Sequence, residues 1–269
     1  MAELCDDSFN QIKYLLEKLT GIQLAEHKRM AVMNRLLSRL NHLNLSTFEE
    51  YLVYLNQPDT QSEVQIFIDK LTTHETYFYR ENDQFNWLEA YLCSRTKNEH
   101  ALSVWSAACS TGEEAYSLAM MLHNVLGENG WNVFGTDISQ LAIKQAQAAT
   151  YPMERVERIP SDFRLRYCLK GVGKYEGVFT LSKEIKQRCF FSTASLLEFS
   201  DSQTSLHDII FLRNILIYFS PLKQKQILQN VIARLQLGGL LFLGHSENIV
   251  KNDKQLQQVE RCIFKKVSL

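Results

Sequence analysis

The stretch "WSAACSTGEEAYSLAM", Trp105–Met120, decides the fold. It begins as an apolar strand, turns at Gly112, and continues with apolar residues at helical spacing. Downstream, "NVFGTDIS" (132–139), "RCFFSTA" (188–194), "HDIIFLRN" (207–214) and "GGLLFLGHSE" (238–247) are further short apolar runs, separated by amphipathic helical segments. This alternation predicts α/β architecture: a doubly wound, mostly parallel sheet with helices on both faces. Between 165 and 190, Gly171, Gly173 and Gly177 punctuate short alternating stretches, which predicts a small antiparallel β insertion.

Upstream the texture differs. Residues 1–82 carry only helical patterns, such as "FNQIKYLLEKL", and "STFEEYLVYL" pairs Ser46 with Glu49 as a capping box. The expected organisation is a helical domain over 1–82, a linker helix over 83–100 and the sheet domain over 101–269. On a helix over 25–43, Lys28, Arg35, Arg39 and His42 share one sector, with Met30, Met33, Leu37 and Leu40 opposite. The first group predicts an outward basic stripe, either solvated or a docking surface for an acidic partner.

Composition narrows the chemistry. A formal charge of -1 over 269 residues gives no general attraction to nucleic acid. The six cysteines form no C-x-x-C pair and the seven histidines no clustered motif, so no metal is expected. The start "MAELCDDSFN" lacks an apolar signal core, and "LGGLLFLG" is too short to cross a bilayer, so a cytoplasmic protein without membrane insertion is expected.

In open α/β sheets ligands bind beyond the carboxyl ends of the strands. Asp137, ending the second strand, is placed to accept hydrogen bonds from a ribose. Beside it, the helix start that would hold a pyrophosphate carries Glu113 and Glu114, which repel phosphate. A nucleoside bearing positive charge suits this loop, and S-adenosylmethionine has an adenosine, a sulfonium and an ammonium. No G-x-x-x-x-G-K-[ST] run occurs, and Ala115 stands where a thiol phosphatase built on Cys109 needs arginine. Cys109 near a helix start retains a candidate thiolate character, without an evident base.

Five blocks, "LTTHETYFYRE" (71–81), "WSAACSTGEEAYSLAM", "FGTDIS" (134–139), "FLRNILIYF" (211–219) and "LGHSEN" (243–248), together resemble the signature blocks of the CheR-type chemotaxis receptor methyltransferases. The resemblance spans nearly the whole chain. It implies a Rossmann-like class I S-adenosylmethionine-dependent methyltransferase fold and a protein-glutamate O-methyltransferase acting on the cytoplasmic coiled coil of chemoreceptors.

The resemblance also implies roles. His74, Thr76 and Arg80 reach the cofactor, Glu114 the methionyl end, Asp137 the ribose, Ser195 and Leu196 the adenine, and Arg213 with Asn214 closes the site. Arg80 and Tyr218 are the candidate catalytic residues, placing the substrate carboxylate. A glutamate, with a pKa of roughly 4.3, is ionised at neutral pH and needs no general base. His74 and Ser195 stand where the family usually has asparagine, and they motivate an alternative: a catalytically weak S-adenosylmethionine-binding sensor or adaptor. An amino methyltransferase of nucleic acid is disfavoured, because "RNILIYF" lacks the prolines of an N-P-P-Y loop. The β insertion is a second candidate surface, for a receptor tail peptide added as a strand.

Overall fold

A computed structural model describes residues 3–94, 100–198, 205–247 and 253–268. Helices α1 (Asp6–Thr20), α2 (Arg29–Leu43), α3 (Phe48–Leu55) and α4 (Gln61–Leu71) form the N-terminal bundle. Phe9, Ile12 and Leu16 of α1 meet Val32, Leu36 and Leu40 of α2 in its core, together with Phe48 and Tyr51 of α3 and Phe67 of α4. The buried stripe of α2 is therefore rotated from the expected one. Leu40 belongs to it, Met33 and Leu37 lie at its margin, and Met30 is 60% exposed. The inward face is fixed by where α1 and α4 sit, which the periodicity of α2 alone does not contain.

Two more local expectations shift. Helix α3 is capped by Thr47, whose hydroxyl accepts the Glu50 N–H at 3.2 Å, while Glu50 reaches back to the N–H of Ser46 at 2.6 Å. The reciprocal cap thus lies one residue later than Ser46 and Glu49. Helix α5 (Asn82–Cys93) buries Phe85, Leu88 and Leu92 against the sheet layer and packs on the next helix, so it is an integral helix and not a linker. Residues 95–99 of the expected linker, and Asn248 of "LGHSEN", lie outside the described residues.

The sheet domain follows as β1 (Leu102–Ala107), α6 (Glu113–Leu126), β2 (Trp131–Asp137) and α7 (Gln140–Ala148). After an inserted segment come β6 (Cys189–Thr193), β7 (His207–Leu212), α10 (Pro221–Ala233), β8 (Leu235–Leu243), β9 (Leu256–Glu260) and β10 (Ile263–Lys266). Among the described residues the strand order is β6-β2-β1-β7-β8-β10-β9, parallel through β8 and antiparallel for the last two. The order departs in opposite directions from β1, so the switch point lies between β1 and β7. Val104, Val133 and Phe211 pack on the side of α5 and α6, and Trp105, Ile210 and Leu241 on the side of α10. Double-sided burial explains why these strands read as unbroken apolar runs.

The insertion holds β3 (Thr150–Pro152), α8 (Ser161–Tyr167), β4 (Cys168–Lys170), β5 (Val178–Leu181) and α9 (Lys183–Lys186), with β5 central in an antiparallel three-stranded sheet. It begins near Thr150, earlier than the 165 expected, because three residues ending in proline are too few to show alternation. Its far limit is also earlier, since Cys189 opens a strand of the main sheet.

Candidate active site

The loop after β1 departs sharply from extended backbone. Ala108 and Ser110 have φ of 69° and 51°, and Gly112, just before α6, has φ of 94°. A Cβ at Gly112 would lie 2.8 Å from the Cβ of Ala146 on α7, so the glycine serves both the turn and the close packing of helix on helix. The turn leaves the N-terminus of α6 facing a cavity of about 440 Å³, in the range of small-molecule sites.

His74, Thr76, Arg80, Glu114, Asp137, Arg213, Asn214 and Tyr218 all line this cavity. Leu196 lines a smaller adjoining pocket next to Asp137 and Ile138. Ser195 is in neither lining, and its hydroxyl accepts the N–H of Leu197 at 3.2 Å, a local turn bond.

The acids are held open for a ligand. Asp137 is 8% exposed, and its oxygens accept the N–H of Ser139 at 3.0 Å and of Ser110 at 2.9 Å. Burial raises its pKa, opposed by those two N–H groups and by His74. Each oxygen keeps a lone pair for a further donor. Glu114 accepts the Ser106 hydroxyl at 2.7 Å and lies 3.4 Å from Arg213 Nη1. Burial raises its pKa too, against the pull of Arg213 and Ser106.

His74 ties the loop to the helical bundle. Thr72 Oγ1 donates to Ile68 O at 2.9 Å, so its 2.8 Å contact with His74 Nε2 requires the hydrogen on Nε2. Nδ1 lies 3.4 Å from the Ser110 hydroxyl. Histidine here bridges two hydroxyls, Thr72 on one side and Ser110 on the other.

Two residues that were given no role from the sequence, Glu81 and Glu247, brace the wall formed by Arg213, Asn214 and Tyr218. Glu81 sits at φ 56°, pairs with Arg213 at 3.1 Å, and accepts from Asn214 Nδ2 at 3.0 Å. Burial opposes its ionisation, yet Arg213, Asn214 and His245 outweigh it and lower its pKa. Glu247 is 4% exposed and accepts the N–H groups of Ile215, Leu216 and Gly244 at 2.7–2.8 Å, fixing the turn that carries Tyr218. The signal for Glu81 was its place at the end of the "LTTHETYFYRE" block.

The cavity suits a zwitterionic cationic nucleoside. Arg213 is deeply buried and its Nη1 lies 3.4 Å from Glu114, so this wall sets a guanidinium, which suits a carboxylate, beside a carboxylate, which suits an ammonium. Asp137, two strands away, suits a diol. Cys109 is excluded as a nucleophile: it is 1% exposed, and burial with Asp137 and Glu114 nearby pushes its thiol well above the ordinary range.

Residues 74–264 match the family model of the CheR methyltransferase S-adenosylmethionine-binding domain, and residues 7–72 that of the CheR methyltransferase all-alpha domain. The chain is 36% identical over 260 residues to chemotaxis protein methyltransferase 2 of Pseudomonas aeruginosa, covering 96% of this chain and 92% of that one. It is 38% identical over 248 residues to the chemotaxis protein methyltransferase of Salmonella typhimurium, covering 91% and 85%. The Escherichia coli chemotaxis protein methyltransferase is also 38% identical, over 247 residues, with 91% and 85% covered. No helix among the described residues is long and apolar enough to cross a membrane. Fold, cavity and both family domains agree: the chain belongs to the CheR methyltransferase family and is an S-adenosylmethionine-dependent methyltransferase.

Proposed function

We propose that the chain methylates glutamate side chains on the cytoplasmic coiled coil of a chemoreceptor, working in the cytoplasm. The observation that carries this reading is one cavity with buried acids at its floor and cations of the helical bundle, Lys28 and Arg35, in its outer wall. The floor suits a cationic nucleoside and the wall an acidic peptide.

Glu114 and Arg213 would hold the methionyl group, and Asp137 the ribose. Thr76, His74 and Asn214 would close around them, with Leu196 toward the adenine in the adjoining pocket. When bound, S-adenosylmethionine supplies an electrophilic methyl. Arg80, which donates to Glu75 O at 2.7 Å and stands 5.8 Å from the Tyr77 ring, and Tyr218 orient the incoming carboxylate. The carboxylate arrives ionised, so no base is needed. Its orienting groups must bind loosely, because its charge is consumed in the transition state.

Lys28 and Arg35 meet acidic methylation helices. Arg39 is withdrawn from this surface, since it is locked to Glu63. On the insertion, edge strand β4 presents Leu169, 55% exposed, near the exposed Leu165, Val172 and Tyr175, a surface suited to an added peptide strand.

Methyl-labelled S-adenosylmethionine and cognate receptor fragments should yield base-labile label on glutamate. Cofactor binding without ester formation on any cognate receptor would favour the adaptor reading, and label in nucleic acid would refute both.

A further inference from the structure

The turn that carries Tyr218 is built from Leu216–Tyr218, and its inner side is fully held by its own domain. Glu247 accepts the N–H of Leu216 at 2.7 Å, and Gln224 donates to the carbonyls of Leu216 at 2.9 Å and Phe219 at 3.0 Å. The carbonyl of Tyr218 itself is held from elsewhere. It accepts the N–H of Gln23 at 2.8 Å, and Ile22 forms an antiparallel bridge with Phe219. Both partners belong to the connection between α1 and α2, nearly 200 residues away in sequence.

That connection is tightly set. Gly21 ends α1 at φ 82°, and a Cβ there would run into the side chain of Leu197 and lie 3.1 Å from the Phe219 ring. Ile22 packs against both the bundle core and the core under α10. One helical turn back, Glu17 pairs with Lys223 of α10 at 3.0 Å. A few residues onward, the same chain supplies Lys28 and Arg35 to the cavity wall.

We infer that Gly21–Gln23 is a positioning element for methyl transfer, fixing Tyr218 relative to the basic α2 wall of the same cavity through main-chain contacts. It rests on the reading of Tyr218 as the group that orients the substrate carboxylate. Tyr218 and the α2 wall must together place one carboxylate, and a displacement of about 1 Å between such groups can cost roughly 100-fold in rate. A short main-chain bridge holds that distance where side-chain contacts would yield.

The test uses the full chain with a cognate receptor fragment. Gly21→Ala adds the obstructing Cβ, and Gln23→Pro removes the N–H at an exposed position after an extended residue. Each should lower kcat roughly 10- to 100-fold while calorimetric affinity for S-adenosylhomocysteine stays within about twofold. In a Tyr218→Phe background neither should lower kcat further. With 3-fluorotyrosine at 218, the fluorine resonance should shift or broaden in both variants.

An unchanged resonance in both would overturn the contact, as would kcat losses that multiply with Tyr218→Phe. Equal loss of cofactor affinity would reduce the element to a structural one. A normal kcat in Tyr218→Phe alone, with the resonance still moving in Gly21→Ala, would instead sink the role of Tyr218 and with it the catalytic use of the bridge.

Discussion

Both oxygens of Asp137 accept a backbone N–H before any ligand arrives, so this residue shapes the loop as well as the cavity. Asp137→Ala should weaken cofactor binding by roughly 10- to 100-fold, the worth of one or two hydrogen bonds to a charged group. Asp137→Asn keeps one acceptor and should lose less, whereas equal losses in calorimetry would mean the defect is a collapsed loop. Ionisation gives a second test. Burial raises the pKa of Asp137 and Glu114, and a cationic ligand favours their ionised forms. Binding should therefore release protons above the ordinary carboxylate range near pH 4, and affinity should fall on acidification before that range is reached. Calorimetry in two buffers of different ionisation enthalpy measures the release, and Glu114→Gln should diminish it. No net release in the wild-type chain would show both acids already ionised.

At the scale of elements, α2 divides its cations between two tasks. Arg39 makes a two-pronged pair with Glu63 at 2.9 and 2.6 Å, and Tyr51 donates to the same carboxylate at 2.9 Å. Glu63 is 5% exposed, so Glu63→Ala would strand a largely buried guanidinium and should cost about 3 kcal/mol, roughly 6–12 °C in melting temperature. Arg35 is exposed and, among the described residues, bonds the carbonyls of Lys70 and Thr72 at 3.2–3.3 Å. Arg35→Glu should leave melting within about 0.5 kcal/mol of wild type while raising the receptor concentration needed for half-maximal rate. Failure of that shift would assign Arg35 to solvent. The helical spacing placed Arg35 and Arg39 on one face, and they are on one face. What separates them is Glu63, 24 residues from Arg39, which no periodicity within α2 announces. The strand-end acids were legible because the end of a parallel strand points a polar residue at the ligand side whatever packs elsewhere. The roles of Glu81 and Glu247 were not, because Arg213 and Asn214 for the first, and Ile215 and Leu216 for the second, are distant in sequence.

For the whole molecule, acid stability is a contest between buried groups of opposite sign. His207, on β7, is 7% exposed, contacts the Ser103 hydroxyl at 2.8 Å and packs its ring against Trp105 and Phe134. Burial, reinforced by Arg234 and opposed by Asp208, lowers its pKa to about 4. For a histidine depressed in the folded state, stability is full above the unfolded pKa of about 6.5, falls as pH drops below it, and the loss is complete once the folded value is passed. Acidification to pH 5 should remove about 2 kcal/mol, or roughly 4–8 °C of melting temperature. Asp137, Glu114 and Glu247 act the other way. Burial raises all three, so their cost is present at neutral pH and is relieved as they protonate. In His207→Gln the histidine limb disappears while the carboxylate limb remains, so melting temperature should stay flat or rise between pH 7 and 5. If wild type and variant fall in parallel over that range, acid sensitivity lies elsewhere than in the aromatic layer around His207.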